Sequence, residues 1–374
     1  MANLEKLKTL IPLHELEQGA QQQIYNNLKL DFLKALAIMP DCHQGYLLPI
    51  GGVALLDNVI SPEYVGFDEG CGMCCVITNI LAIELKPRSL LKIFEAIYGK
   101  VPVGVGICRS SPYSEIDHFS SASGDKDLNK EVNLKQYIQV GTLGSGNHFI
   151  EIGVNREGYI TITIHSGSRK PGHTIAEYYI NKSNQEDKDL PNGFLRLDGD
   201  LGKSFIQDLN WALKFALDNR RLMMIDVLEI LGFNNNEIGQ YIKGMINENH
   251  NHAIITPEGV LHRKGATPAD KDMLGVCPGT MKSGVYITKG LGNKEYLSSS
   301  SHGAGRKMSR GAAKKKITIE QHKKWMKGII AKVDKSTLDE AHGAYKDLDK
   351  VIDAQKGIVL EVVDFIRPII NVKG

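Results

Sequence analysis

The chain predicts an α+β fold in one large domain covering residues 1–374. Three observations carry that expectation. Short segments rich in Val, Ile and Leu alternate with long helical periodicities. No repeat period, low-complexity block or interdomain linker separates them. Reactive side chains from both halves of the chain fit one site better than two. With 42% apolar residues, a substantial core can be buried.

Taken in order, residues 15–37 read as a helix, with Ile24, Leu28, Phe32, Ala35 and Leu36 spaced along mostly polar sequence. Residues 47–57 and 74–83 read as strands bounded by turn residues. Residues 159–165 alternate Tyr, Thr and Thr with three isoleucines at period 2, a further strand. A long helix is expected over residues 201–233, through Phe205, Leu209, Ala212, Leu213, Ala216 and Leu217 and on through Leu222 and Val227. The polar stretches 114–134 and 181–202 read as surface insertions.

Charged residues interrupt every apolar run well short of the roughly 20 residues that span a bilayer, and no secretory h-region opens the chain. A soluble, cytoplasmic protein without a membrane partner is expected. The six cysteines are Cys42, Cys71, Cys74, Cys75, Cys108 and Cys277. Three of them crowd together, which makes a poor disulfide framework. Cys71 and Cys74 form a C-x-x-C but lack the second close pair of a structural zinc ribbon.

The net charge of +2 does not announce nucleic-acid binding. Its distribution says more. Arg306, Lys307, Arg310, Lys314, Lys315, Lys316, Lys323, Lys324 and Lys327 stand against the single acid Glu320 between His302 and Gly328. Such a run is commonly a solvated helix face, but its place directly after a glycine-flanked histidine favours phosphate contact.

Six short segments hold the chemistry. They are Val65-Gly66-Phe67-Asp68-Glu69-Gly70-Cys71-Gly72-Met73, Gly144-Ser145-Gly146-Asn147-His148-Phe149-Ile150-Glu151, His165-Ser166-Gly167-Ser168-Arg169, His250-Asn251, Pro278-Gly279-Thr280-Met281 and Ser301-His302-Gly303-Ala304-Gly305-Arg306. Each alone has a bland reading: Asp-Glu-Gly is ordinary turn chemistry, and a lone His is usually a hydrogen-bonded structural residue. Jointly they supply carboxylates, a thiol and four imidazoles, the inventory of a metal site that handles a nucleotide. An Asp, a Cys and three His can hold two divalent ions roughly 3.5–4 Å apart with the thiolate shared, as phosphoryl transfer requires. Mixed O, N and S ligation leaves the metal's identity open.

His302 differs in kind. Gly303 and Gly305 on one side and Ser298 to Ser301 on the other let backbone N–H groups crowd a phosphate, and Arg306 and Arg310 can neutralise it. A neutral imidazole there is a competent nucleophile at phosphorus.

These segments, in this order, resemble the RtcB family of RNA ligases, from Met39-Pro40-Asp41-Cys42-His43-Gln44-Gly45 to the terminal Val372-Lys373-Gly374. Members of that family join RNA 3′-phosphate or 2′,3′-cyclic phosphate ends to 5′-hydroxyl ends using GTP and manganese. The resemblance implies mixed or antiparallel sheets surrounded by helices. It implies that Cys71, His148 and His165 hold one Mn2+ ion, that Asp68, Cys71 and His250 hold a second, and that His302 becomes guanylylated. The guanylate pocket would draw on Asn147, His148, Phe149, Ile150, Glu151, His250, Asn251, Pro278, Gly279, Thr280, Met281, His302, Gly303, Ala304, Gly305 and Lys373. Arg169, Lys264 and Arg310 are similar to positions that contact RNA phosphates. RNA is the partner implied, in transfer-RNA splicing or RNA repair, and an archease-type activator belongs to the same picture.

The chain also departs from the family pattern. Asn249-His250 stands where two adjacent histidines are common, and Val285 stands where a serine usually helps contact the nucleotide. His173 and Cys42 occupy positions where commoner members have other residues, and the chain is shorter than typical members. Two readings compete with ligation: a metal-dependent phosphoesterase acting on RNA ends, and a non-catalytic RNA-binding protein. His302 weighs against both, because hydrolysis needs no such nucleophile and binding needs no metal cluster.

Overall fold

Ile160, Ile162 and Ile164 are fully buried, and this row is where the largest sheet meets the longest helix of the molecule. Thr161 and Thr163 between them are buried as well, so the strand is covered on both faces, with its apolar side chains at period 2 against the helix layer. The computed structural model describes residues 3–184 and 189–374.

The chain begins with β1 (Leu7–Thr9), α1 (Gln18–Asn27), β2 (Leu33–His43), β3 (Ile50–Leu56), β4 (Val59–Ile60), α2 (Pro62–Val65) and β5 (Gly72–Leu81). Next come α3 (Pro87–Lys100), α4 (Lys126–Gln139), β6 (Phe149–Val154), β7 (Tyr159–Ser166), α5 (Arg169–Ser183), β8 (Leu195–Arg196), α6 (Asp200–Ile230) and α7 (Asn235–Lys243). Strands β9 (Ile246–Asn249), β10 (Asn251–Thr256), β11 (Gly259–Lys264), β12 (Ala266–Pro268), β13 (Leu274–Pro278), β14 (Val285–Gly290) and β15 (Ser299–Ser301) follow. The chain closes with α8 (Arg310–Lys316), α9 (Ile319–Trp325), β16 (Ile330–Ala331), α10 (Leu348–Asp353) and β17 (Leu360–Val372).

One sheet runs β1-β2-β3-β11-β10, and the larger runs β13-β14-β17-β6-β7-β5-β9 with β16 beside β17. Pairing is antiparallel except for β1 with β2 and β16 with β17. The architecture is α+β with mixed, mainly antiparallel sheets, as expected. The helices α3, α6 and α7 cover the isoleucine face of the larger sheet, where Met223, Met224, Val227 and Leu228 complete the core. The chain crosses from the larger sheet to the smaller one at a single residue between β9 and β10, His250.

Three expectations need correction. The helix read over residues 15–37 stops at Asn27, and Leu33, Leu36 and Ala37 are buried in β2. The Asn27 side chain explains the stop: it is bound by Tyr64 of α2 and donates to Leu47 O at 2.9 Å, tying the helix end to the loop between β2 and β3. Residues 114–134 are not simply a surface insertion, because Phe119, Leu128 and Val132 pack into a core with Tyr179, Phe205 and Leu209. A polar average concealed one apolar face of α4. In the stretch 181–202, Phe194 and Leu195 are buried and β8 pairs with β4, while residues 185–188 lie outside the described residues. The long helix ends at Ile230.

Arg220, fully buried on α6, ties these pieces together. Its guanidinium donates to Gly70 O and Ser166 O at 2.9 Å each, and to Asn247 Oδ1 and Asn249 Oδ1 at 2.7 Å each. Asn249, the departure from the paired-histidine pattern, is therefore an acceptor for this arginine. Arg220→Met is expected to lower unfolding free energy by about 3–5 kcal/mol, since four buried acceptors lose their donors. Urea unfolding of the metal-free protein checks this, and a loss below about 1 kcal/mol would contradict it.

Candidate functional site

The chain bends sharply wherever a candidate ligand is delivered. Gly70, with φ +69°, turns the loop after α2 so that Cys71 enters β5, and a Cβ there would lie 2.7 Å from that of Ala216. Gly146 precedes His148 at the start of β6, His165 lies near the end of β7, and His250 sits at the crossing between sheets. Backbone bonds clamp the group together: His250 N donates to Cys71 O at 2.7 Å, and Gly70 N to Asn251 O at 2.8 Å.

Three of the five expected ligands meet as one group, and Asp68 and His250 stand on opposite flanks of it. Cys71 Sγ is 3.3 Å from His148 Nε2 and 3.2 Å from His165 Nε2, and the three ligand atoms form one potential metal-holding group. Asp68 Oδ2 lies 3.0 Å from His148 Nε2 on one flank, and His250 Nε2 lies 3.3 Å from His165 Nε2 on the other. A Cβ on Gly167 would stand 2.2 Å from Asp68 Oδ1, so only glycine leaves room for that carboxylate.

The donor set fits divalent cations. His165 Nδ1–H donates to Asn147 O at 3.2 Å, which turns its Nε2 lone pair inward, while His148 Nδ1–H donates to Leu143 O at 3.0 Å and its Nε2 faces Asp68. Lone pairs facing one another this closely repel unless positive charge lies between them. Burial, reinforced by the neighbouring histidines, holds His165 and His250 well below the usual imidazole range, so both are neutral donors. Burial pushes the Asp68 carboxyl up, but His148 beside it prevails and holds it below the ordinary range. Burial and then Asp68 push the Cys71 thiol well up, the burden that a bound cation relieves in a thiolate ligand.

His302 follows β15, and its ring centroid is 4.9 Å from that of His250. Its Nδ1–H donates to Asp41 Oδ2 at 2.7 Å, and Asp41 Oδ1 accepts from Ser301 Oγ at 2.9 Å. This fixes the tautomer and leaves Nε2 free. Gly265, with φ +60°, admits the ring, since its Cβ would stand 3.1 Å from His302 Cε1. The serines before His302 do not form the expected phosphate cradle. Ser299 to Ser301 are buried in β15, where Ser301 N donates to Gln355 Oε1 and Ser299 Oγ to Leu297 O, and Ser298 is half-buried just before it.

All this opens onto a cleft of about 790 Å³ lined by residues of both sheets. Asn147, Phe149, Glu151, His250, Asn251, Pro278, Gly279, Thr280, Met281, His302, Gly303, Ala304, Gly305 and Lys373 line it, as does Val285. His148 and Ile150 do not: His148 is turned into the ligand cluster, and the Ile150 side chain packs against the helix layer. Burial pushes the Glu151 carboxyl up to about 8, Asn371 Nδ2 donates to its Oε2 at 3.1 Å, and its Oε1 has no partner among the described residues. Lys373 Nζ donates to Gly146 O at 3.1 Å and stands 3.7 Å from Glu340.

The three residues expected at RNA phosphates have different settings. Arg310 is exposed at the cleft, its Nη2 3.5 Å from Asn147 Oδ1. Lys264 is buried in the wall, donating to Glu63 O at 2.7 Å, and burial lowers its ammonium to about 8. Arg169 packs under Gly144 with its Nη1 3.3 Å from His148 Nδ1, and it holds a left-handed φ of 58°. It braces the ligand cluster from behind.

Four site residues had no role in the sequence reading: Asp41, Glu340, Tyr345 and Asn371. Asp41 lay within a quoted motif, but nothing local linked it to His302. Glu340 is buried and bonded by Arg306 at 3.2 Å and by the Tyr345 hydroxyl, so it absorbs cations that sequence offered to phosphate. Tyr345 lines the cleft with the Arg306 guanidinium 4.8 Å from its ring centre.

Fold and site define a class of protein: an α+β scaffold with a buried thiol–imidazole–carboxylate centre beside a carboxylate-held histidine on an open cleft. The profile of the family described as tRNA-splicing ligase RtcB matches residues 23–374. The RNA-splicing ligase RtcB of Escherichia coli (strain K12) is 34% identical, over 96% of this chain and 95% of that protein. The tRNA-splicing ligase RtcB of Pyrobaculum aerophilum is 30% identical over 99% of this chain and 93% of its own length, and that of Nanoarchaeum equitans 29% identical over 91% and 88%. The chain belongs to the RtcB family.

Cys71 contacts both His148 and His165, so Cys71→Ala is expected to weaken manganese binding by at least about 100-fold, beyond what loss of an outer-shell partner costs. Equilibrium dialysis with manganese checks this, and undiminished affinity would refute a ligand role for Cys71.

Proposed function

We propose that this protein, working as one catalytic domain over residues 1–374, is a GTP- and manganese-dependent RNA ligase. It joins RNA 3′-phosphate or 2′,3′-cyclic phosphate ends to 5′-hydroxyl ends through a guanylate carried on His302. The observation that carries this reading is the His302 imidazole, held through Nδ1 by Asp41 at 2.7 Å with Nε2 free, in a ring 4.9 Å from His250 of the ligand cluster. A phosphoesterase whose metals activate water needs no such nucleophile, so uptake of label from GTP separates the two readings. The family and the names of its relatives support the same reading.

In this reading Cys71, His148 and His165 would hold one Mn2+ ion and Asp68, Cys71 and His250 the other, and ions held there would supply neutralisation of charge on phosphoryl oxygens. His302 Nε2 attacks the α-phosphorus of GTP and pyrophosphate leaves. Asp41 stabilises the charge that the ring acquires. The guanylate then passes to the RNA 3′-phosphate, the 5′-hydroxyl attacks the activated phosphorus, and GMP leaves. A cyclic phosphate is first opened by water. Glu151 Oε1 and Asn371 Oδ1, both unpartnered among the described residues, are free to read a purine edge. Val285 offers no hydroxyl there, so those contacts fall to its neighbours.

Arg310 and Lys264 meet RNA phosphates, while Arg169 reaches them from its place behind His148. The biological setting is RNA repair or transfer-RNA splicing in the cytoplasm, with an archease-type activator as a further partner. Among the described residues no helix is long and apolar enough to cross a membrane.

Labelled GTP with manganese should leave label on the denatured wild type, lost in acid and stable in base. His302→Ala should take up none, yet seal RNA that already carries a guanylate-activated 3′ end. Stable label on another residue, or full sealing of unactivated ends by the variant, would overturn the mechanism.

Arg310→Ala should make the salt dependence of RNA binding shallower by about one counterion. For Lys264, charge is present below its value of about 8 and lost above it. RNA affinity should therefore fall as pH rises from about 7 to about 9, and Lys264→Arg should remove the fall. An unchanged pH profile in Lys264→Arg would exclude that contact.

A further inference from the structure

The wall of the cleft formed by Gln44, Tyr46, Gly66, Phe67 and Lys264 carries rings that the proposed reaction does not use. Tyr46 is 65% exposed, on the cleft rather than in a core. Its ring meets that of Phe67 edge to face, centroids 5.9 Å apart and planes at 75°. Phe67 is itself stacked on His173, at 5.2 Å and 27°, so the corner has a fixed back. Lys264 Nζ stands 5.3 Å over the Tyr46 ring. Phe67 is also bonded in sequence to Asp68, which sets this corner directly beside the ligand cluster.

Core packing does not account for an aromatic ring left two-thirds in water, since little apolar area is withdrawn. A large exposed ring with a cation over it instead offers stacking area beside positive charge. A nucleobase has the complementary chemistry: a flat apolar face attached to an anionic phosphate. The adjoining polar groups, Gln44, Lys264 and His173, suit a phosphodiester strand better than an apolar protein segment.

We propose that Tyr46, backed by Phe67 and His173, is a stacking platform for the unpaired terminal base of the RNA, a role that takes its substrate from the ligase reading above. The platform holds the nucleoside while its terminal phosphate or hydroxyl reaches the cluster at Asp68 and Cys71. Stacking reads the face of a base and not its edges, so any base is accepted and an abasic end is penalised.

The test is equilibrium binding of short RNAs in the absence of GTP. One RNA carries an abasic nucleotide at a 3′-phosphate end and another at a 5′-hydroxyl end, each compared with the intact oligomer. For one of the two ends, wild type should bind the abasic RNA about 5- to 100-fold more weakly, the range of a single base–aromatic stack, and the responding arm identifies the end held. Tyr46→Leu should bind intact and abasic RNA alike, and Tyr46→Trp should restore the difference. Indifference of wild type to base loss at both ends, or full base dependence in Tyr46→Leu, would overturn the platform. Binding needs no ligation, so the two proposals fail separately. A protein that takes no label from GTP but loses affinity for abasic ends overturns the ligase reading; one that is guanylylated yet ignores the terminal base overturns the platform.

Discussion

The buried guanidinium of Arg220 is the constraint on which the site depends. A charged group without solvent must find acceptors, and this one finds them on three segments that carry candidate ligands: Gly70 beside Cys71, Ser166 beside His165, and Asn249 beside His250. Burial lowers its pKa, and the nearby thiols Cys74 and Cys71 act against that shift. Four planar donors met by fixed acceptors leave α6 and the ends of β5, β7 and β9 little freedom to slide relative to one another. Placing a thiol and imidazoles within hydrogen-bonding distance is thus first a matter of backbone registry and only then of side-chain choice.

His250 makes the same point for the two sheets. It is the residue at which the chain leaves the larger sheet and enters the smaller, and its backbone N–H is bound to Cys71 O. A seam between sheets is where backbone polar groups and side chains from unrelated segments converge on a cleft. The arrangement carries electrostatic tension. A buried thiol, two depressed imidazoles and a carboxylate crowd one point, and Arg169 holds a left-handed backbone behind them. Such tension is characteristic of sites organised for a bound charge.

Electrostatics also divides the cleft. On one side Glu340 draws Arg306 and Lys373 inward, so much of the positive charge near His302 is already paired. On the other side Lys264 donates to Glu63 O, has the Glu63 carboxylate as its charged neighbour, and stands over the exposed Tyr46 ring. Two walls with different chemistry, meeting at one ligand cluster, suit two different molecules brought to a common point.

The sequence by itself determined the fold class, the strands with strict alternation or dense β-branched content, the long helix, and the side chains of the ligand cluster. Those signals are local: a period of two or 3.6, or a glycine beside a reactive residue, survives without knowledge of neighbours. It misread the segment after Asn27 and the apolar face of α4, because a short apolar run is compatible with either period until its packing partner is known. Only the tertiary structure decided that Asp41 on β2 orients His302, that Glu340 and Tyr345 complete the cleft, that Ile150 faces away from it, and that Asn249 serves Arg220. Each of those depends on contacts between segments far apart in the chain, and a hydrogen bond or a shared wall across such a distance leaves no periodic trace in the residues that make it.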